Sequence, residues 1–234
     1  MYTLVVGGEF MELFDLIKKD ILEGVLVPGQ KLKEEELASK YNTSRTPIRE
    51  AIQKLSAEGL VQYTKNKGTY VRKYSLEDIT NTYDLRSVIE GYAAFLAAQH
   101  ATNEDLLKLE KSIQEFEQLT KLYQREDKNP VILDLIENNI EFHSLITEAS
   151  GNKEISKVLK CLSSLPIMYK GYHWFNYIGV LKSLEHHKLI FNAIKKRDSL
   201  YARSLMEIHL IHGKENILNH VDAFDVEYAG VNLV

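Results

Sequence analysis

This chain has little of what staples or anchors a protein from outside its own core. A single cysteine, Cys161, in 234 residues excludes an internal disulfide framework and fits a reducing compartment. With 4 prolines and 12 glycines, the chain is neither collagen-like nor low in complexity. No apolar run approaches the ~20 residues of a membrane span, so no membrane partner is expected. The opening MYTLVVGGEF has no basic flank and no cleavable apolar stretch, so residues 1–10 read as a vector-type leader ahead of Met11 rather than a secretory signal. What remains is the composition of an ordered, helix-leaning, cytoplasmic protein, long enough for one large domain or two modest ones.

The net charge of −4 argues against nucleic acid as a partner until it is resolved along the chain. Residues 11–74 carry 12 Lys/Arg against 9 Asp/Glu, a balance of +3; residues 75–234 carry 17 against 23, a balance of −6; Glu9 supplies the remaining −1. A basic segment ahead of an acidic one suggests two jobs, the first facing phosphate.

In the basic segment, Leu13, Phe14, Ile17 and Ile21 repeat at helical spacing up to Gly24, and a second short helix is expected from Lys33 to about Lys40. The run Glu34, Glu35, Glu36 falls in its first turn, where the helix dipole favours anions, and reads as a solvated helix start. NTSRTPIREAIQKLSAEGL follows. Thr43 or Ser44 is a suitable N-cap, Pro47 fits a first turn, and Gly59 closes the helix. Ile48, Ala51, Ile52 and Leu55 form the buried stripe, leaving Arg45, Thr46, Arg49 and Gln53 outward. Helix, tight turn and a second helix with a cationic N-terminal half make a helix-turn-helix, whose second helix enters the major groove. LVQYTKNKGTYVRKY then reads as a hairpin with a basic tip at Lys65, Asn66, Lys67 and Gly68, the position of a wing.

The run GVLVPGQKLKEEELASKYNTSRTPIREAIQKLSAEGLVQYTKNKGTYV resembles the winged-helix domain of the GntR family of bacterial transcription regulators. The resemblance implies a DNA-binding domain over residues 11–74. It places Arg45, Thr46 and Arg49 at bases or phosphates, Gly68 at the wing tip, and Lys33 and Lys67 at secondary phosphate positions. Some family members carry arginine where this chain has Glu35.

From Leu76 to about His220 the pattern is all helical. Helices are expected over 76–99, 103–126, 130–149, 153–174 (kinked at Pro166), 177–196 and 198–220, with breaks at Thr102, Asn129-Pro130, Gly151-Asn152 and Arg197-Asp198. Asn139 and His143 share one helix face; His187 and His209 lie on two other helices, each among apolar residues. Such histidines are either hydrogen-bonded core residues or, if they converge, ligands of a divalent cation. His186 lies about 100° out of phase with His187 and is left aside with His212 and His220. Arg86 has two readings, an i, i+4 ion pair with Glu90 or a contact for a small carboxylate. Tyr83, Tyr92 and Tyr172 read as core packing.

DLRSVIEGYAAFLAAQHATNEDLLKL, NIEFHSLITEASGN, EHHKLIFNAIKKRD and ARSLMEIHL are similar to successive motifs of the FCD effector-binding domain that follows the winged helix in FadR-type GntR proteins. That resemblance implies an all-α FCD-type bundle over 75–222, ahead of a tail at 223–234. It implies metal ligands at Asn139, His143, His187 and His209, zinc being the expected ion and nickel or manganese the alternatives, and places Arg86 in the same cavity as an effector contact. Asparagine in place of aspartate removes one negative charge from such a site. The expected function is a homodimeric transcription regulator reading a pseudo-palindromic DNA operator, a repressor relieved by a small carboxylate effector. The alternatives are a metal-dependent hydrolase, for which only Glu141 offers a general base, and a metal-sensing regulator.

Overall fold

In a computed structural model the described residues are 3–6, 9–22, 24–73, 75–125, 129–163 and 177–219, and the chain divides into two compact units between Ser75 and Leu76. The N-terminal unit opens with an antiparallel hairpin, β1 (Thr3–Val6) on β2 (Glu9–Glu12), so the residues read as a leader are paired backbone. Helix α1 (Leu13–Leu22) buries Leu13, Leu16, Ile17 and Ile21 and gives way at Gly24, φ +78°. There follow β3 (Lys31–Leu32), α2 (Glu34–Lys40), α3 (Arg45–Ala57), β4 (Val61–Thr64) and β5 (Gly68–Val71). The three strands form one antiparallel sheet in the order β3-β5-β4. One core of Ile17, Ile21, Leu32, Leu37, Ile48, Leu55, Leu60 and Val71 joins three helices to that sheet.

Both ends of α3 have a physical cause. Ser44 is the N-cap in extended conformation, but its hydroxyl makes no cap hydrogen bond. A cap oxygen accepts from the second or third helical N–H, and the third helical residue is Pro47, which has none. The other end is closed by backbone: Leu60 N–H donates to the Leu55 carbonyl (2.9 Å) and Gly59 N–H to that of Ser56 (3.0 Å), with Gly59 at φ +75°. This paired arrangement needs a left-handed residue at Gly59.

The C-terminal unit is helical throughout its described residues: α4 (Leu76–His100), α5 (Asn103–Arg125), α6 (Asn129–Ala149), α7 (Lys153–Ser163), α8 (Tyr177–Lys195) and α9 (Ser199–Leu218). Thr102 and Asp105 exchange capping hydrogen bonds at the start of α5, and Asp198 accepts from Tyr201 N–H at the start of α9. Arg197, at φ +62°, donates to the Ala98 and Ala101 carbonyls where α4 ends. The helix expected over 153–174 is described as far as Ser163. Its remainder with Pro166 and Tyr172, and residues 220–234 with His220 and the tail, lie outside the described residues.

α4 runs antiparallel to α9, with Asp84 paired to Lys214 at one level and Gly91 against the Glu207 side chain at another. A Cβ on Gly91 would lie 2.8 Å from Glu207 Cγ, so only glycine permits that approach. Ala93, Ala94, Ala97 and Ala98 keep the buried faces of α4 equally thin. α4 also meets α6 and α8, and four helices therefore turn side chains into one interior.

Candidate DNA-reading face and histidine centre

The outward face of α3 holds Arg45, Thr46 and Arg49, all exposed. Neither arginine stands alone. Arg45 Nη2 lies 2.5 Å from Glu35 Oε1, and Arg49 donates to both Glu34 oxygens, Nη2 at 2.7 Å and Nε at 3.0 Å. The acidic first turn of α2, read as a solvated helix start, is instead the partner of the cations on α3. Hydrogen bonding with Glu34 raises the Arg49 pKa and lowers that of Glu34. Lys33 pairs with Glu36 at 2.7 Å. At the wing, Lys67 is exposed, Asn66 takes φ +64° and Gly68 φ +104°. Lys31 is a cation the sequence reading passed over: it lies beside Gly68, its ammonium 5.9 Å from the Tyr70 ring. Its only sequence signal was the alternation of the short β3.

The second site lies in the C-terminal interior. One ring nitrogen each from His143 on α6, His187 on α8 and His209 on α9 falls within 4.8 Å of the others, and all three side chains are buried. His187 is held by stacking, its ring centroid 3.9 Å from that of Phe142, and neither of its nitrogens has a hydrogen-bond partner. His209 Nδ1 and Asn139 Oδ1 are likewise buried without a partner. Buried polar atoms are rarely left so, because each orphan costs ~1–3 kcal/mol. Burial lowers the pKa of His187 and His209 well below the ordinary value, and the neighbouring imidazoles lower it further. Both are therefore neutral near pH 7, with lone pairs available to a cation.

Glu90 on α4 orders this centre, and sequence reading saw it only as a partner for Arg86. Its Oε2 lies 2.5 Å from His143 Nδ1, while its Oε1 accepts from Arg86 Nε at 2.6 Å. Burial alone would push the Glu90 carboxyl up, but Arg86 and His143 outweigh it and hold it at about 2. An ionised carboxylate accepts only, so Nδ1 of His143 carries the proton and its Nε2 turns a lone pair inward. That Nε2 is 3.1 Å from Nε2 of His209. A carboxylate behind an imidazole is how ligating histidines are oriented. The link joins residues 53 apart on different helices, so no local pattern could have shown it.

Of the remaining expectations, Arg86 forms the i, i+4 ion pair, 3% exposed, with Tyr83 beneath its guanidinium. Tyr83 is core, whereas Tyr92 is exposed and stacks beside Phe95, because position 92 falls on the outer face of α4. Glu141 points outward into a surface groove of about 370 Å³ with Glu115, Asp134 and Glu137, away from the histidines. His186, set aside on helical phase, is half-buried with its ring 5.6 Å from that of His209. The phase argument considered only α8; α9 approaches from the side to which His186 points.

A winged helix-turn-helix followed by a helical body with a buried histidine centre defines a class of DNA-binding regulators. Residues 11–71 match the model for bacterial regulatory proteins of the gntR family and residues 81–212 that of the FCD domain, so the chain belongs to the GntR family, in its FCD-bearing branch. It is 29% identical over 215 residues to an uncharacterised HTH-type transcriptional regulator, YdhC of Bacillus subtilis (strain 168), covering 91% of this chain and 92% of that one. To the HTH-type transcriptional repressor RspR of Escherichia coli (strain K12) it is 28% identical over 207 residues, covering 88% and 87%. Among solved structures it is similar to E. coli McbR/YncC, with TM-score 0.73, 20% identity and coverage of 89% and 96%. These relatives are transcription regulators, not enzymes. Among the described residues no helix is long and apolar enough to cross a membrane.

Proposed function

We propose that this regulator is a homodimeric repressor whose hold on its operator is controlled by a small organic acid, bound at or beside a divalent cation in the histidine centre. One observation carries the reading: three buried imidazoles bring one ring nitrogen each within 4.8 Å of one another, and His187, His209 and Asn139 hold buried nitrogen or oxygen atoms without a hydrogen-bond partner. His143, His187, His209 and Asn139 are the residues that hold the ion, with zinc as the best match to a nitrogen-rich donor set. The bound ion supplies a Lewis-acid position for a carboxylate oxygen. Glu90 fixes the tautomer of His143 and balances the charge of Arg86, the expected effector contact, while Asn139, unlike an aspartate, adds no negative charge. Neutral Asn139 thus suits an anionic ligand.

The sense of control follows RspR, whose name records it as a repressor. A dimer matches the exposed apolar positions Leu85, Val88 and Tyr92 on α4 and Ile208 and Ile211 on α9, which a second copy would cover. At the DNA, Arg45 and Arg49 leave Glu35 and Glu34 for base edges or phosphates. Thr46, Lys33 and Lys67 add phosphate contacts, and Gly68 lets the wing backbone come close. An acid shifts operator affinity only by as much as it binds two arrangements of the dimer unequally.

Elemental analysis of purified protein, followed by zinc titration and then acid titration against selected duplex DNA, tests this. The expected results are one metal per chain, loss of it in His187→Ala, and release of DNA by acid. Metal bound equally by His187→Ala overturns the site. A response to zinc alone supports the metal-sensing reading instead.

A further inference from the structure

The short strand β3 carries one lysine to the wing and sends the next one elsewhere. Lys31 stands opposite Tyr70, and Leu32 opposite Thr69, in the β3–β5 ladder. Leu32, Val61 and Val71 are buried in the core, so alternation puts Lys31, Gly68 and Tyr70 together on the outward face of the sheet. Gly68 is the diagonal neighbour of Lys31, within reach of a long side chain. The Lys31 side chain follows that diagonal: a Cβ on Gly68 would lie 3.2 Å from Lys31 Cε and 3.8 Å from its Nζ, and the ammonium is 5.9 Å from the centroid of the Tyr70 ring. The Tyr70 hydroxyl donates to the Lys67 carbonyl at 3.1 Å, so the ring that Lys31 approaches also holds the hairpin tip.

Lys33 shares the strand parity of Lys31 but not its position. It is the N-cap of α2, where the chain leaves the ladder, and its ammonium is bound to Glu36 at 2.7 Å. Arg45 and Arg49 are likewise ion-paired, with Glu35 and Glu34. Lys31 is exposed, and among the described residues it has no carboxylate partner. Residues 61–73, which form the wing beside it, contain four Lys/Arg and no Asp/Glu. A phosphate arriving at Lys31 therefore displaces no carboxylate. Lysine presents a compact point charge, which suits a phosphate better than a base edge.

We propose that Lys31, with Lys67 and the Gly68 backbone, forms the phosphate clamp of the wing, and that it is a stronger contact to the DNA backbone than Lys33. This rests on the placing of the wing at DNA above. The missing side chain of Gly68 lets the duplex come close, and the two ammonium groups neutralise backbone phosphates beside it. Neither reads sequence; both add affinity and fix register.

The test is fluorescence anisotropy of the full-length protein across a salt series, on a duplex selected from a random pool and on an unselected one. Lys31→Met keeps the stem over Gly68 and removes the charge, Lys31→Arg restores the charge, and thermal unfolding establishes that each variant is folded. The expected result for Lys31→Met is a salt slope flatter by about 1 for each protomer on the duplex, with affinity for both duplexes lowered by the same factor, roughly five- to tenfold per protomer at about 0.1 M salt. Lys31→Arg should keep the native slope, and Lys33→Met should flatten it by less than about half as much as Lys31→Met. A slope unchanged in Lys31→Met while Lys67→Met flattens it, a loss confined to the selected duplex, or equal effects of Lys31→Met and Lys33→Met overturns the assignment of Lys31. Slopes unchanged in both Lys31→Met and Lys67→Met overturn the placing of the wing itself.

Discussion

Replacing Glu90 by glutamine separates the two roles of that side chain. In the native protein its carboxylate, 2% exposed, is shared by Arg86 and His143 at 2.6 and 2.5 Å. Its pKa is displaced from the ordinary 4.5 to about 2. A displacement of that size corresponds to about 3 kcal/mol of folding stability at neutral pH, present above the unfolded-state value and lost as the pH falls through the folded one. Glu90→Gln also leaves the Arg86 guanidinium buried without its anion, and removing one member of a buried pair costs about 3–5 kcal/mol. Denaturant unfolding at pH 7 should therefore show the C-terminal unit destabilised by about that amount. The double variant Arg86→Met/Glu90→Gln should recover most of the loss, because no unpaired charge remains. Metal affinity should behave differently. Both variants lose the carboxylate behind His143, and zinc binding in competition with a chelator should weaken about 10–100-fold in each. If the double variant regains both stability and zinc affinity, or the single variant loses neither, the assignment of Glu90 as the group that orients His143 is wrong.

Other perturbations probe each unit. At the DNA face, Arg49→Ala should remove about 1–3 kcal/mol of discrimination between selected and random duplexes, whereas Lys67→Ala should weaken both equally and flatten the salt slope by about 1, as fluorescence anisotropy across a salt series would show. Glu35→Gln releases Arg45 from its ion pair and should tighten binding to random DNA by no more than about fivefold, since exposed pairs are worth at most about 1 kcal/mol; weaker binding would mean that Glu35 itself contacts DNA. Leu55→Ala empties a position sealed between α1, α3 and the sheet and should cost about 2–5 kcal/mol in unfolding of the N-terminal unit. In metal-free protein, His187 and His209 stay neutral when folded but take protons near pH 6.5 when unfolded. Stability of the C-terminal unit is thus full above that pH and should fall on acidification by up to about 1.4 kcal/mol per pH unit for each histidine, and a flat profile between pH 6.5 and 5 would contradict their burial as neutral imidazoles.

Apart from the β1–β2 hairpin, where a leader was expected, and the short β3, the N-terminal unit was legible in the residues. Period and punctuation there are local: a stripe of Ile48, Ala51, Ile52 and Leu55, a glycine at the one left-handed position closing α3, and Asn66 and Gly68 at a hairpin tip. The exceptions were also instructive. Ser44 has the cap position without a cap hydrogen bond, Pro47 having removed one of its two possible donors, and Glu34 and Glu35 face α3 because the turn between the helices folds one acidic end over one basic end. Spacing along one helix shows which residues share its face, but not what another helix lays against it.

Spacing along the chain was enough for most helix boundaries among the described residues of the body and for the exposed cations of α3, since caps, breakers and helical phase act within a few residues; the four candidate ligands came from the likeness to the FCD motifs. The convergence of His143, His187 and His209 was decided only by tertiary packing. Thin faces on α4 admit α9, which sets His209 against His143 and His186, while packing of α4 on α6 puts Glu90 behind His143, contacts between residues far apart in sequence. Whether a histidine is a satisfied core residue or an unpaired ligand depends on which atoms surround its two nitrogens, and those atoms come from other helices.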